Sequence, residues 1–253
     1  MRIVVKVGSA VLTQDGEVAL ERMQALVDFL AELKETNEVI LVSSGAVSAG
    51  FTVLKLDRNI IKNKQALASL GQPILMKKYA KKFAKYNILS SQVLVTAANL
   101  DKPDDISRVR NTVEVLLDNG VIPIVNENDA TSTDELEVGD NDQLSAYITK
   151  HLNADLLMIL SDIDAYYDAD PREVKSAKVL KVVNSVSEEE LSREATPNNV
   201  FATGGIVTKL KAAAYLLESN INMFLASGFD LADARSFALE NTHKGGTLFT
   251  KAV

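Results

Sequence analysis

Six short runs rich in apolar and β-branched residues recur along this chain: Ile3–Val7, Val39–Val42, Leu89–Val95, Val121–Val125, Leu156–Leu160 and Asn222–Ala226. A strand apolar along nearly its whole length has no face to give to water and must be covered on both sides. The segments between these runs can supply that cover. Leu20, Met23, Leu26, Leu30 and Leu33 fall on one helical stripe, and Asp104–Asn119 and Asp230–Asn241 behave alike. A long basic helical region, Lys62–Tyr86, is expected to be interrupted by Gly71-Gln-Pro73. Strand–helix alternation of this kind predicts an α/β fold, a three-layer α/β/α sandwich on a mainly parallel central sheet. No repeat, low-complexity segment or Pro/Gly-rich linker divides the chain, so residues 1–253 are read as a single domain with a subdivision near Ser161. In such sheets ligands collect at the carboxyl ends of the strands, so the strand-to-helix turns should hold the chemistry.

Composition removes several classes of function. A hydrophobic fraction of 47% supports a sizeable core. The acidic balance, with a net charge of −7, argues against a general nucleic-acid binder. No apolar stretch approaches the roughly 20 residues of a membrane helix. The N-terminal run meets Lys6 too early for a signal peptide, so a soluble, cytoplasmic protein is expected. The absence of cysteine excludes disulfides and thiolate chemistry. His151 and His243 lie far apart and near no Ser or Asp motif, which disfavours a Ser-His-Asp hydrolase or a zinc enzyme.

Charge is distributed unevenly. From Asn126 to Asp142 the chain reads NENDATSTDELEVGDND, seventeen residues with seven carboxylates and no Lys or Arg. The whole chain has 34 acidic and 27 basic residues, so without these seven acids the remainder balances at 27 against 27. The segment directly follows the apolar run Val121–Val125. Uncompensated charge beside a core element is costly unless a cation, such as a metal ion or a ligand ammonium group, sits there. A solvated acidic loop is the plainer alternative, but it leaves the polar clusters Asn-Glu-Asn-Asp and Gly-Asp-Asn-Asp at the two ends unexplained.

Four further turns add to this. Lys6 interrupts an apolar strand just before Gly8, where it either snorkels to water or points at a phosphate. Val42-Ser-Ser-Gly-Ala46 leads a strand into a small-residue helix and can seat an anion. Leu160-Ser-Asp-Ile-Asp opens a polar loop after another buried strand. Thr203-Gly-Gly-Ile-Val-Thr-Lys209 enters an Ala-rich helix, again in a manner suited to phosphate. No Walker A, GxGxxG or protein-kinase signature is present. Two lysines, an anion seat and an acidic cluster, each at a strand end, favour phosphoryl transfer.

Together the segments Ile124-Val-Asn-Glu-Asn-Asp129, Val138-Gly-Asp-Asn-Asp-Gln-Leu-Ser-Ala146 and Thr203-Gly-Gly-Ile-Val-Thr-Lys-Leu210 resemble the amino-acid kinase family, over essentially the whole chain. The resemblance implies an α/β/α enzyme that moves the ATP γ-phosphoryl group to the side-chain carboxylate of L-glutamate, the first step of proline biosynthesis. It implies that Ser44, Gly45, Asn126, Asn128, Asp129 and Asn141 bind glutamate. Lys6 and Lys209 would stabilise the transferring phosphoryl group, and Asp142 would orient the lysines or magnesium, with Asp140 also near the ion. The nucleotide would be held by Lys6, Gly8, Ser161, Asp162 and the run Thr203, Gly204, Gly205, Ile206, Val207, Thr208 and Lys209. Residues up to about 160 would carry the amino acid and residues from about 161 the nucleotide. ATP is the implied cosubstrate, Mg2+ its metal, proline the implied feedback inhibitor and a homo-oligomer the implied assembly. The nucleotide loop usually reads Thr-Asp followed by Gly-Leu-Tyr; here Ser161 stands for the threonine and Ala165-Tyr166 for Gly-Leu. The resemblance covers the kinase portion, and no counterpart of the C-terminal PUA domain of many relatives is expected before Val253.

A carboxylate nucleophile with a pKa of about 4.3 is already ionised at neutral pH, so the reaction needs no general base and no well-placed histidine. Three rivals are weighed. A relative acting on N-acetylglutamate would leave the acidic cluster without an ammonium partner. A nucleoside-monophosphate kinase would need basic residues for a second phosphate, and Asn111–Thr149 contains none. Against a non-catalytic amino-acid sensor stands the retention of Lys6, Asp142 and Lys209.

Overall fold

The computed structural model describes residues 1–96, 99–100, 102–132, 141–192 and 205–251. In chain order the elements are β1 (Arg2–Val7), α1 (Ser9–Leu12), β2 (Thr13–Gln14), β3 (Glu17–Val18), α2 (Leu20–Lys34), β4 (Glu38–Ser43), α3 (Ala46–Phe51) and α4 (Ile61–Phe83). There follow β5 (Ser90–Val95), α5 (Pro103–Asp118), β6 (Ile122–Glu127), α6 (Asn141–His151), β7 (Leu156–Ser161) and β8 (Val182–Val183). The last are α7 (Glu188–Ser192), α8 (Ile206–Glu218), β9 (Asn222–Ser227), α9 (Ala232–Ala238) and β10 (Thr247–Phe249).

Among the described residues, eight strands form one sheet in the order β5-β6-β4-β1-β7-β9-β10-β8. The six strands expected from the apolar runs are all present and mutually parallel. β10 runs antiparallel to β9 at one side, and a small β2–β3 hairpin stands apart. These three short strands, together with β8, lie outside the apolar runs, because strands of two or three residues are too short to show a period.

Alternation along each strand feeds two cores. Ile3, Val5 and Val7 pack with α2, the C-terminal half of α4 and α9, while Val4 packs on the other face with α5, α6 and α8. Lys6 shares the face of Val4 and lies opposite Val42 of β4 and Ile159 of β7. The lysine is thus sent from the middle of the sheet toward α6 and α8.

Three expectations are corrected. First, α4 is continuous from Ile61 to Phe83 with Pro73 inside it. A proline inside a helix costs about 3 kcal/mol, and here the tertiary packing of Leu67, Leu75, Tyr79 and Phe83 opposes that cost. Gly71 serves proximity to α3: a Cβ there would lie 1.8 Å from the Ala46 carbonyl oxygen. A Cβ on Gly50, across the same crossing, would lie 2.0 Å from the Leu67 carbonyl oxygen. Second, Asn126 and Glu127 belong to strand β6 rather than to the loop after it, opposite Leu94 and Val95 of β5. Leu20 of the expected stripe is also exposed, at the first position of α2.

Candidate active site

β1, β4, β6 and β7 all end at the same edge of the sheet, and their last residues or the next few are polar and buried. Lys6, Ser43, Ser44, Asn126, Glu127, Asp129 and Ser161 are each less than 9% exposed. Helices α6 and α8 add Asn141, Asp142 and Lys209 at comparable burial. Buried polar side chains survive only when paired with one another or reserved for a ligand.

Asp142 is the hub of the pairing. Lys6 Nζ donates to its Oδ1 at 2.5 Å and Lys209 Nζ to its Oδ2 at 3.0 Å. Thr208 Oγ1 also donates to Oδ2 at 2.7 Å, so the first turn of α8 is fastened to the start of α6. Burial pushes the Asp142 pKa upward, but the charges of Lys209 and Lys6 and the hydrogen bonds from Lys6 and Thr208 outweigh it. The carboxyl is held well below the ordinary carboxylate range. Two ammonium groups against one carboxylate leave one net positive charge in a nearly water-free place. One of the seven acids in the acidic segment is therefore compensated from within the chain, by two lysines distant in sequence, without a bound cation.

Beside the triad lies a second polar pair. Asn141 Nδ2 donates to Ser44 Oγ at 2.6 Å, joining α6 to the turn after β4. Gly45 in that turn has φ 105°, a conformation favouring glycine, and leads directly into α3. Behind it, Ser43 Oγ donates to the Ser44 carbonyl at 3.0 Å and contacts Tyr79 Oη at 2.8 Å. The serine proton being used, Tyr79 is the donor in the second bond. Burial raises the Tyr79 pKa and keeps the phenol protonated, so that it can donate.

On the β7 side the Gly8 amide donates to the Leu160 carbonyl at 3.0 Å, and Ser161 Oγ donates to Asp162 Oδ1 at 3.0 Å. A Cβ on Gly8 would meet protein atoms only at 3.7 Å and beyond, so the fold itself does not require glycine there. Asn128 follows β6 with its amide on the Val95 carbonyl at 2.7 Å. Gly205 precedes α8, Ile206 packs partly against the core and Val207 is buried, so any contact of Val207 with a nucleotide would come from its backbone. Asp140, Thr203 and Gly204 lie outside the described residues. Among the described residues no group of three or more His, Cys, Asp or Glu side chains is placed to hold a metal ion. Both oxygens of Asp142 face donors, which does not suit direct metal ligation.

Two buried polar features escape the sequence patterns. The link from Thr208 to Asp142 depends on a pairing across 66 residues. Gln72 lies buried in α4 within the tripeptide expected to break that helix, and that expectation masks it.

A parallel α/β/α sandwich with two buried ammonium groups on one carboxylate at its strand ends defines an enzyme that handles an anionic group in transfer. A family model described as the amino acid kinase family matches residues 1–227. The chain belongs to the amino acid kinase family. It is 52% identical to a glutamate 5-kinase of Wolinella succinogenes, covering 99% of this chain and 98% of that one. It is likewise 52% identical to a glutamate 5-kinase of Leishmania donovani, covering 100% and 96%. Among solved structures, a UMP kinase of Bacillus anthracis superposes with a TM-score of 0.64 at 17% identity, covering 100% of this chain and 96% of that one. An isopentenyl phosphate kinase of T. acidophilum gives 0.64 at 14% identity, covering 98% and 100%. These two likenesses speak for the fold alone.

Proposed function

We propose that this chain transfers the γ-phosphoryl group of ATP to the side-chain carboxylate of L-glutamate, giving L-glutamyl 5-phosphate and ADP at the head of proline synthesis in the cytoplasm. The observation that carries the reading is the buried Lys6–Asp142–Lys209 triad beside the Asn141–Ser44 pair. Identity of 52% to two glutamate 5-kinases supports the choice of acceptor.

The reaction asks one anion to approach another. A carboxylate oxygen forms a bond to the γ-phosphorus as the bond to the β–γ bridging oxygen breaks, and ADP leaves with that electron pair. No proton needs to be removed from the nucleophile. Charge accumulates on oxygens around phosphorus, and the net positive charge of the triad meets it. Lys6 is directed from the central strand and Lys209 from the first turn of α8, and Asp142 keeps the two ammonium groups from driving each other apart. Mg2+ fits as an ion carried on the nucleotide phosphates, where it would neutralise further charge, with Asp140 and Asp142 acting at most indirectly.

In this reading Ser44, Gly45, Asn126, Asn128, Asp129 and Asn141 hold the amino acid. Gly8, Ser161, Asp162 and the segment from Thr203 to Lys209 hold the nucleotide, and proline competes for the amino-acid anchors. ADP release measured with glutamate, N-acetylglutamate, aspartate and UMP as acceptors tests it. Glutamate should be turned over with by far the highest kcat/KM. Preference for N-acetylglutamate or UMP would reject the reading.

A further inference from the structure

The polar side chain that the proposed reaction leaves unused is Gln72. It is 7% exposed, and among the described residues neither its Oε1 nor its Nε2 finds a hydrogen-bond partner. A buried primary amide without partners forfeits the hydration of both its polar ends. Such an orphan calls for an occupant.

The helix fixes where the amide points. Ala68, Gln72, Leu75, Tyr79 and Phe83 are the buried stripe of α4 at helical spacing. Tyr79 reaches Ser43, the last residue of β4. Gln72 lies seven residues earlier on the same side, roughly 10 Å along the axis. Because β4 and β5 both run parallel to β6, the connection through α4 must return from the carboxyl ends of the strands to their amino ends. The earlier residue therefore stands beyond the carboxyl end of β4. Gly71 confirms the level, since it packs on the Ala46 carbonyl, next to Ser44 and Gly45. Gln72 thus faces the space over β4 and β6, on the side away from the triad at β1.

We propose that Gln72 is a substrate-contact residue whose amide NH2 donates to the α-carboxylate of the amino-acid acceptor. This rests on the glutamate reading above. The phosphoryl-accepting end of the substrate must lie at Lys6 and Lys209, so its α-carbon end lies toward β4 and β6. Acceptors for an ammonium group are plentiful there: Asn126 Oδ1 is buried and unpaired, and Glu127 and Asp129 are close in the chain. Among the described side-chain donors there, Asn141 Nδ2 is committed to Ser44. Gln72 supplies a free one.

Gln72→Met keeps the volume and removes the amide. It should raise the glutamate KM roughly ten- to a hundredfold, the worth of a hydrogen bond to a charged group, while leaving the ATP KM nearly constant. Urea unfolding without ligands should show the variant as stable as the parent or more so, since an orphaned polar group has gone. Gln72→Glu should weaken glutamate further by placing two carboxylates together. A Gln72→Met protein that is more stable with unchanged glutamate KM would overturn the proposal. If that variant fails to fold, Gln72→Asn, which keeps the amide but shortens its reach, should lose glutamate-induced thermal protection and keep that from a non-hydrolysable ATP analogue; retained glutamate protection would overturn it equally. The parent enzyme separates the two readings. Should it ignore glutamate, the functional reading fails, and the same KM comparison on the acceptor it does use still decides the role of Gln72.

Discussion

Lys6 and Lys209 do the same electrostatic work from opposite sides of one carboxylate. In the proposed reaction their charge is needed most when negative charge builds on the transferring group, so Lys6→Ala and Lys209→Ala should each depress kcat much more than they raise the glutamate KM. The expected loss is about 2–4 kcal/mol of barrier stabilisation, roughly thirtyfold to a thousandfold in kcat. Steady-state kinetics check it, and unchanged turnover would remove that lysine from the mechanism. Asp142 has a different signature. Asp142→Asn leaves two ammonium groups facing a neutral amide, and breaking such a buried pair costs about 3–5 kcal/mol of stability. The pH dependence follows from the depressed pKa: the stabilisation is complete above the unfolded value of 3.8 and is lost as pH falls from there toward the folded value. Urea unfolding at a series of pH values should therefore show the gap between parent and Asp142→Asn narrowing below about pH 4. A gap that stays constant into acid would contradict the linkage.

Helices bring these residues to the strand ends, and here glycines separate two kinds of cause. Gly71 is required by the protein itself, since a Cβ would strike the Ala46 carbonyl at 1.8 Å. Gly71→Ala must push α3 from α4, at a cost of about 3 kcal/mol, and should raise the glutamate KM because α3 begins directly after Ser44 and Gly45. Gly8 is not required in this way. Gly8→Ala should leave the urea midpoint unchanged and raise the ATP KM, because only a nucleotide lying against that turn would meet the new methyl group. A destabilised Gly8→Ala protein would mean that the turn, and not the ligand, sets the residue. The same contrast explains what was legible in the sequence. The six long strands carried their own signal, because burial on both faces demands apolar residues throughout. The turns carried theirs because Lys6 and the acidic run break that pattern. Gly71-Gln-Pro73 read as a break because local propensity disfavours helix there, whereas the contact that overrides it comes from α3, with Gly50 21 residues earlier in sequence. Nor does any local pattern announce that Thr208 and Lys209 close on Asp142.

At the scale of the whole molecule, the two halves of the chain meet in one sheet and at one carboxylate. The proposed anchors for the amino acid, Ser44, Asn126, Asp129 and Asn141, come from β6, α6 and the turns after β4 and β6, whereas the proposed nucleotide side comes mainly from β7, the loop after it and α8. The halves join through Asp142, which takes Lys6 from β1 and Lys209 from α8. An amino acid that lacks a side-chain carboxylate can therefore fill the first set of anchors without engaging the triad. Proline is such a molecule: it shares the α-carboxylate and the cationic nitrogen of glutamate and has nothing to phosphorylate. Shared anchors make occupancy exclusive, so proline should inhibit, and rising glutamate should relieve that inhibition in full. ATP, which the proposed division assigns to the other half, should leave the proline concentration needed for half inhibition nearly unchanged. Substitution of Asp129 or Asn126 should shift the proline and glutamate responses together, as the proposed sharing of those anchors requires. Titrating proline at several glutamate and ATP concentrations decides it. Inhibition that does not depend on glutamate would place proline elsewhere on the molecule, even if it inhibits strongly.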